Sequence, residues 1–129
     1  MKPLTLEQLL QLHALVAQAT GGTSGLRDLG RLEAALATQT QNVFGQELYD
    51  SPTEKAAALI RGIIADHPLV DGNKRTAMLA GLTFLKLQGV TFLIPKGQLE
   101  DFAVRIAVEQ LDIKAIADWL EHYSNLPSS

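Results

Sequence analysis

The stretch His67-Pro68-Leu69-Val70-Asp71-Gly72-Asn73-Lys74-Arg75-Thr76-Ala77 lies between two apolar runs of helical period. Its first nine residues hold an imidazole, a carboxylate, an amide and two cations. On the N-terminal side Ala57, Ile60, Ile63 and Ile64 mark one face of a helix that ends near Asp66, where Pro68 prevents smooth continuation. On the other side Ala77, Leu79, Ala80, Leu82, Phe84, Leu85 and Leu87 make the run from Asn73 to Leu87 apolar nearly all round, the mark of a central helix. The stretch therefore joins two core helices, and Asp71-Gly72-Asn73 reads as the turn that starts the second.

The charges in this turn point to chemistry. Lys74 and Arg75 fall in the first turn of the second helix, where the macrodipole is positive and a cation is disfavoured by about 0.3–1 kcal/mol. An anion offsets that cost, and free N–H groups at a helix N-terminus already bind phosphate. Asp71 supplies a hard oxygen ligand able to hold Mg²⁺ against phosphate oxygens. His67 supplies an imidazole, which takes and gives protons near neutral pH. Singly, each residue has a plainer use as a cap, a turn or a solvated charge; the cluster outlines a phosphate-handling site.

Working outward, Thr5-Leu6-Glu7-Gln8 resembles a capping box, and Leu6, Leu9, Leu10, His13 and Val16 continue one helical face until Gly21-Gly22. Asp28 caps a second helix bearing Leu29, Leu32, Ala35 and Leu36. From Gln39 to Asp50 helical period fails, and Val43 to Tyr49 reads as an extended loop or short hairpin. Ser51-Pro52-Thr53-Glu54 then starts the helix leading to His67. After Gly89, Val90 to Pro95 is a short connector, followed by helices over Gln98 to Glu109 and Asp112 to Tyr123. Residues 124–129 are expected to form a frayed tail. The expectation is a single all-α domain over residues 1–129, a bundle of about six helices.

Bulk properties narrow the function classes. The chain of 129 residues is long enough for one core, and 47% hydrophobic with 19% charged residues is ordinary for a soluble globular domain. It has no cysteine, which excludes disulfides and thiolate metal sites and suits a reducing cytoplasm. No segment approaches the roughly 20 consecutive apolar residues of a membrane span, and the N-terminus lacks an apolar signal core. A net charge of −3 and 5% aromatics leave little for a nucleic-acid surface, so no direct nucleic-acid binding is expected.

The cluster resembles the signature of the Fic/Doc family, H-x-F-x-D/E-G-N-G-R-x-x-R in its Fic branch and H-x-F-x-D-A/G-N-K-R-T-A in its death-on-curing toxin branch. Lys74 in place of the Fic glycine, and Met78 in place of the second Fic arginine, point to the toxin branch. The segment from Gly25 to Leu36 resembles the block that opens the second helix in the same branch. The resemblance covers nearly the whole chain and implies a Fic/Doc helical bundle with a short flap over Gln41 to Tyr49, ahead of the motif, whose implied role is to align an extended segment of the target protein by backbone pairing.

Residue by residue, the resemblance implies His67 as general base, Asp71 as Mg²⁺ ligand, Gly72 and Asn73 as an anion-binding turn, and Lys74 and Arg75 as phosphate-holding groups. ATP is the implied nucleotide. In the toxin branch the implied reaction is transfer of the γ-phosphate to a hydroxyl of elongation factor Tu, with arrest of translation. A small antitoxin, whose disordered C-terminal segment folds as a helix into a groove, is the implied partner. Transfer of AMP is the alternative that keeps every motif residue, and a catalytically silent partner-binding module is a third reading. Leu69 replaces the family's phenylalanine and is expected to fill the same pocket. Arg27 and Arg61 are further candidates to reach the site.

Overall fold

The computed structural model describes residues 1–125. It contains six helices: α1 (Leu6–Thr20), α2 (Leu29–Ala37), α3 (Pro52–Asp66), α4 (Asn73–Leu87), α5 (Gln98–Glu109) and α6 (Ile113–His122). The starts follow local chemistry. Thr5 and Gln8 form a reciprocal capping box at α1, and Asp28, Ser51 and Asp112 accept backbone N–H groups at α2, α3 and α6.

Helices α3 and α4 form the centre together. The expectation of one central helix is modified, because α3 packs on α2, α4, α5 and α6 while α4 packs on α1, α3 and α5. Small residues permit this. A Cβ on Gly81 would collide with Ile60, so the glycine lets α4 lie directly on the Ala56–Ile60 face of α3. Leu59, Ile60, Ile63, Phe84 and Leu85 are fully buried in the resulting core, each side chain contributing about 1.5–3 kcal/mol of transfer free energy. Helices α5 and α6 close one side, with Phe102 and Trp119 stacked at 4.1 Å.

Two small antiparallel pairings complete the fold. Strands β1 (Asn42–Val43) and β2 (Gln46–Glu47) pair antiparallel around Phe44 and Gly45, both at positive φ, which gives the flap a tight hairpin. Strand β3 (Thr91–Phe92) pairs with β4 (Ser124–Asn125). This corrects the expectation of a tail frayed from residue 124. The connector after α4 is extended, and its edge engages the chain leaving α6: the Leu93 N–H donates to the Tyr123 carbonyl at 2.9 Å, and Ser124 Oγ donates to the Leu120 carbonyl at 2.6 Å. The rest of the expected tail, residues 126–129, lies outside the described residues.

Candidate active site

The site is built on the turn between α3 and α4. His67 ends α3 in the left-handed region, φ 47°, with its N–H donated to the Ile63 carbonyl at 3.1 Å. That conformation turns the chain sharply and leaves the imidazole exposed at the end of the helix. Pro68 and Leu69 then dive inward, Leu69 to 1% exposure, so the aliphatic side chain does anchor the turn. Gly72 at φ 72° swings the chain into α4, and a Cβ there would press on Val16 of α1 at 3.3 Å.

Asn73 holds the turn closed. Its Oδ1 accepts the Leu69 N–H and its Nδ2 donates to the Leu69 carbonyl, both at 3.0 Å and both buried. Its amide is thereby occupied within the protein, where it shapes the backbone of the turn. The outer side of the turn is zipped to the segment before α2. The N–H groups of Arg27 and Asp28 donate to the Pro68 carbonyl at 2.8 and 2.9 Å, and the Val70 N–H donates to the Gly25 carbonyl at 3.0 Å. The Gly25 block singled out in the sequence is thus the backing of the motif.

The N-terminus of α4 is uncapped. Gly72 offers no side chain, and among the described residues the N–H groups of Asn73, Lys74 and Arg75 find no protein acceptor; the first backbone bond is Thr76 to Gly72 at 2.9 Å. Lys74 and Arg75 are exposed and make no ion pair among the described residues. An anion at this end would meet aligned N–H groups and two free cations. Asp71 is exposed, with Oδ1 accepting the N–H of Gly72 at 2.8 Å.

A cleft of about 520 Å³ brings the residues together. It is lined by His67, Asp71, Gly72, Asn73, Lys74 and Arg75 from the turn, and by Val16, Thr20 and Gly22 from α1 and its end. The donor set fits a magnesium ion held jointly with phosphate oxygens. Asp71 presents one hard carboxylate, and no group of three or more acidic or imidazole side chains among the described residues forms a metal cage of its own.

Arg27 and Arg61 do not line this cleft. The guanidinium groups of Arg27 and Arg31 lie on the Asp66 carbonyl at the end of α3, at 3.5 and 3.2 Å, where they complement the negative end of the dipole. Arg61 donates to the Leu111 carbonyl at 3.3 Å and lines a separate cleft of about 400 Å³ between α3 and α5, on whose rim His67 also stands.

Sequence reasoning missed His13 and Gly22. His13 is 3% exposed on the core face of α1; its Nε2 accepts the Gly25 N–H at 3.2 Å and its Nδ1 lies 3.3 Å from Thr76 Oγ1. Burial holds its pKa below the ordinary value, opposed in part by the Asp71 charge. The available signal was a titratable residue at an apolar-face position. Gly22 read simply as part of a helix stop.

The flap is tied to the bundle by Lys55. Its buried Nζ donates to the Gln39 carbonyl at 2.8 Å and to Glu47 of β2 at 3.2 Å, while Phe44 at the hairpin tip is fully exposed.

This fold and site belong to a known class. The Fic/DOC family matches residues 3–85, and the chain belongs to that family. It is 40% identical over 101 residues to Toxin Doc of Mycolicibacterium smegmatis (strain ATCC 700084 / mc(2)155), covering 77% of this chain and 78% of that protein. It is 31% identical over 120 residues to Protein kinase doc of Escherichia phage P1, covering 93% and 94% respectively. No helix among the described residues is long and apolar enough to cross a membrane.

Proposed function

We propose that this chain is the toxin of a toxin–antitoxin module and transfers the γ-phosphoryl group of ATP to a hydroxyl of a target protein. The observation that carries the reading is the single cleft in which the His67 imidazole, the Asp71 carboxylate and the uncapped, doubly cationic start of α4 meet. The names of the two relatives, a toxin and a protein kinase, support it.

In this mechanism His67 removes the proton from the attacking hydroxyl. The oxygen forms a bond to the γ-phosphorus as the bond to the ADP leaving group breaks, and ADP departs with its electron pair. The N–H groups of α4, with Lys74 and Arg75, neutralise the phosphate charge, so positioning and electrostatics supply most of the acceleration. Asp71 would hold Mg²⁺, which when bound would supply positive charge to neutralise the phosphates. Asn73 keeps the turn in shape through Leu69.

Lys74 favours the γ-phosphate over AMP transfer. The Fic motif has glycine at this position, and here a long cationic side chain lines the cleft instead, where it changes how a triphosphate lies. Elongation factor Tu is the proposed target and arrest of translation the outcome, which places the chain in the cytoplasm. A cognate antitoxin follows from the same reading, since unregulated modification of the translation machinery would kill the cell that makes it.

The test is paired labelling. The chain, Mg²⁺ and bacterial elongation factor Tu are incubated with ATP labelled at the α- or the γ-phosphate, with His67→Ala as control. Label from the γ-position that disappears with His67 supports the kinase. Label from the α-position overturns it in favour of AMP transfer, and no label from either, with cell lysate as target too, leaves a silent partner-binding module.

A further inference from the structure

The Asp71 carboxylate stands against a bare glycine. Its Oδ1 is fixed by the Gly72 N–H, while Oδ2 faces Gly22, where a Cβ would lie 2.7 Å from Oδ2 and 3.6 Å from the carboxyl carbon. Real Cβ atoms do not come so close to an oxygen. Gly22 is not in the left-handed region, so its lack of a side chain serves space rather than backbone freedom.

The loop that carries Gly22 is held from below by His13. With Nε2 accepting from Gly25, the ring carries its proton on Nδ1 and donates it to Thr76 in the first turn of α4. Gly25 in turn accepts the N–H of Val70, the residue before Asp71. One buried ring therefore ties the Gly22 loop, the Asp71 turn and the start of α4 into a single frame, without lining the cleft itself.

We infer that Gly22 and His13 are the positioning residues of the Asp71 carboxylate: Gly22 sets the space in which Oδ2 stands, and His13 keeps the two loops in register with α4. The inference rests on the proposed reading only for Asp71's role toward a metal-bound nucleotide. Partners behind a metal ligand typically matter by about 10–100-fold in metal affinity.

The experiment uses the full chain and two readouts that need no turnover. Calorimetry measures binding of a non-hydrolysable ATP analogue with and without Mg²⁺, and hydrogen exchange reports the Gly25 and Val70 amides. Gly22→Ala displaces a flexible carboxylate, so exchange and metal-free affinity stay at wild-type values while the gain in affinity due to Mg²⁺ falls by about 10–100-fold. His13→Leu loses that gain together with protection at Gly25, and His13→Gln, which retains an acceptor and a donor, restores both. If His13→Leu does not fold, Thr76→Val, which removes only the partner of Nδ1, is expected to lose the Mg²⁺ gain while Gly25 stays protected, and an unchanged gain overturns the role of His13.

An unchanged Mg²⁺ gain in Gly22→Ala overturns the role of Gly22. Full Gly25 protection in His13→Leu, or His13→Gln behaving like His13→Leu, overturns that of His13. If the wild-type chain shows no Mg²⁺ gain, the metal role of Asp71 falls and the inference with it; the exchange data then decide only whether His13 holds the loops.

Discussion

Leu69 and Asn73 grip each other through paired hydrogen bonds of 3.0 Å, the backbone of one residue satisfying both ends of the other's side-chain amide. The pairing closes a ring across the turn, so the direction in which α4 starts is fixed by an interaction wholly inside the protein. Replacing Asn73 with Ala leaves a buried N–H and a buried carbonyl unpaired, at a cost of about 1–3 kcal/mol for such a group. The expected result is a lower denaturant midpoint and at least a tenfold loss of label transfer; urea unfolding and the labelling assay check the two together.

Under the proposed mechanism, in which His67 is the general base, this residue separates chemistry from stability. Loss of a general base lowers the rate by about 10²–10⁴-fold. Because the residue sits at φ 47°, His67→Asn, whose side chain tolerates the left-handed region, is expected to be inactive with a near-wild-type thermal midpoint. His67→Ala is expected to be equally inactive and to melt no higher than His67→Asn, since alanine lacks the local hydrogen bonding that eases the left-handed region. Thermal melts of the two variants beside each other make the comparison.

Lys74 is expected to pull in opposite directions. In the first turn of α4 its charge opposes the dipole, so Lys74→Ala stabilises the free protein by about 0.3–1 kcal/mol. The same change removes a charged donor to phosphate, worth about 1.5–3 kcal/mol, and weakens nucleotide binding accordingly. A melt without nucleotide and a titration with it should move with opposite sign.

His13 gives stability a pH dependence. Burial lowers its folded-state pKa below the ordinary 6.5, so the unfolded chain binds more protons in the window between the two values. The stabilisation is fully present above about pH 6.5 and is lost as pH falls from there through the lower folded-state pKa. Urea unfolding from pH 7.5 downward should show a steeper loss in wild type than in His13→Gln, whose amide does not titrate.

The Glu47 end of the flap tether is half exposed, so Glu47→Gln is expected to cost at most about 1 kcal/mol of stability. Under the proposed function the flap aligns the target protein, so the effect should fall there. Loosening β2 from Lys55 is expected to raise KM for the protein substrate several-fold while leaving KM for ATP unchanged, as steady-state kinetics with each substrate varied would show.

What was legible in the sequence was local. Thr5, Asp28 and Ser51 announce helix starts because a cap acts within three residues, and α4 is bounded as its apolar run and Gly72 imply. The cluster from His67 to Arg75 was visible because its charges sit at the wrong end of a helix. What stayed hidden depends on distant partners. Asn73 faces inward to Leu69, Arg27 and Arg61 find carbonyls outside the cleft lined by Asp71, Lys74 and Arg75, and the pairing of Ser124–Asn125 with Thr91–Phe92 spans more than thirty residues. His13 reads as one more position on an apolar face until the fold brings Gly25 and Thr76 to its two nitrogens.

The flap differs from the turn in how it is held. The turn between α3 and α4 is fastened on several sides by backbone bonds and a buried amide, whereas the hairpin from Asn42 to Glu47 is joined to the bundle through Lys55 with its aromatic tip in solvent. Descent with modification would therefore find the two parts unequally free. Under the proposed function, a lineage would reach a new target protein by rewriting a handful of hairpin positions, while most changes in the turn would remove the activity itself.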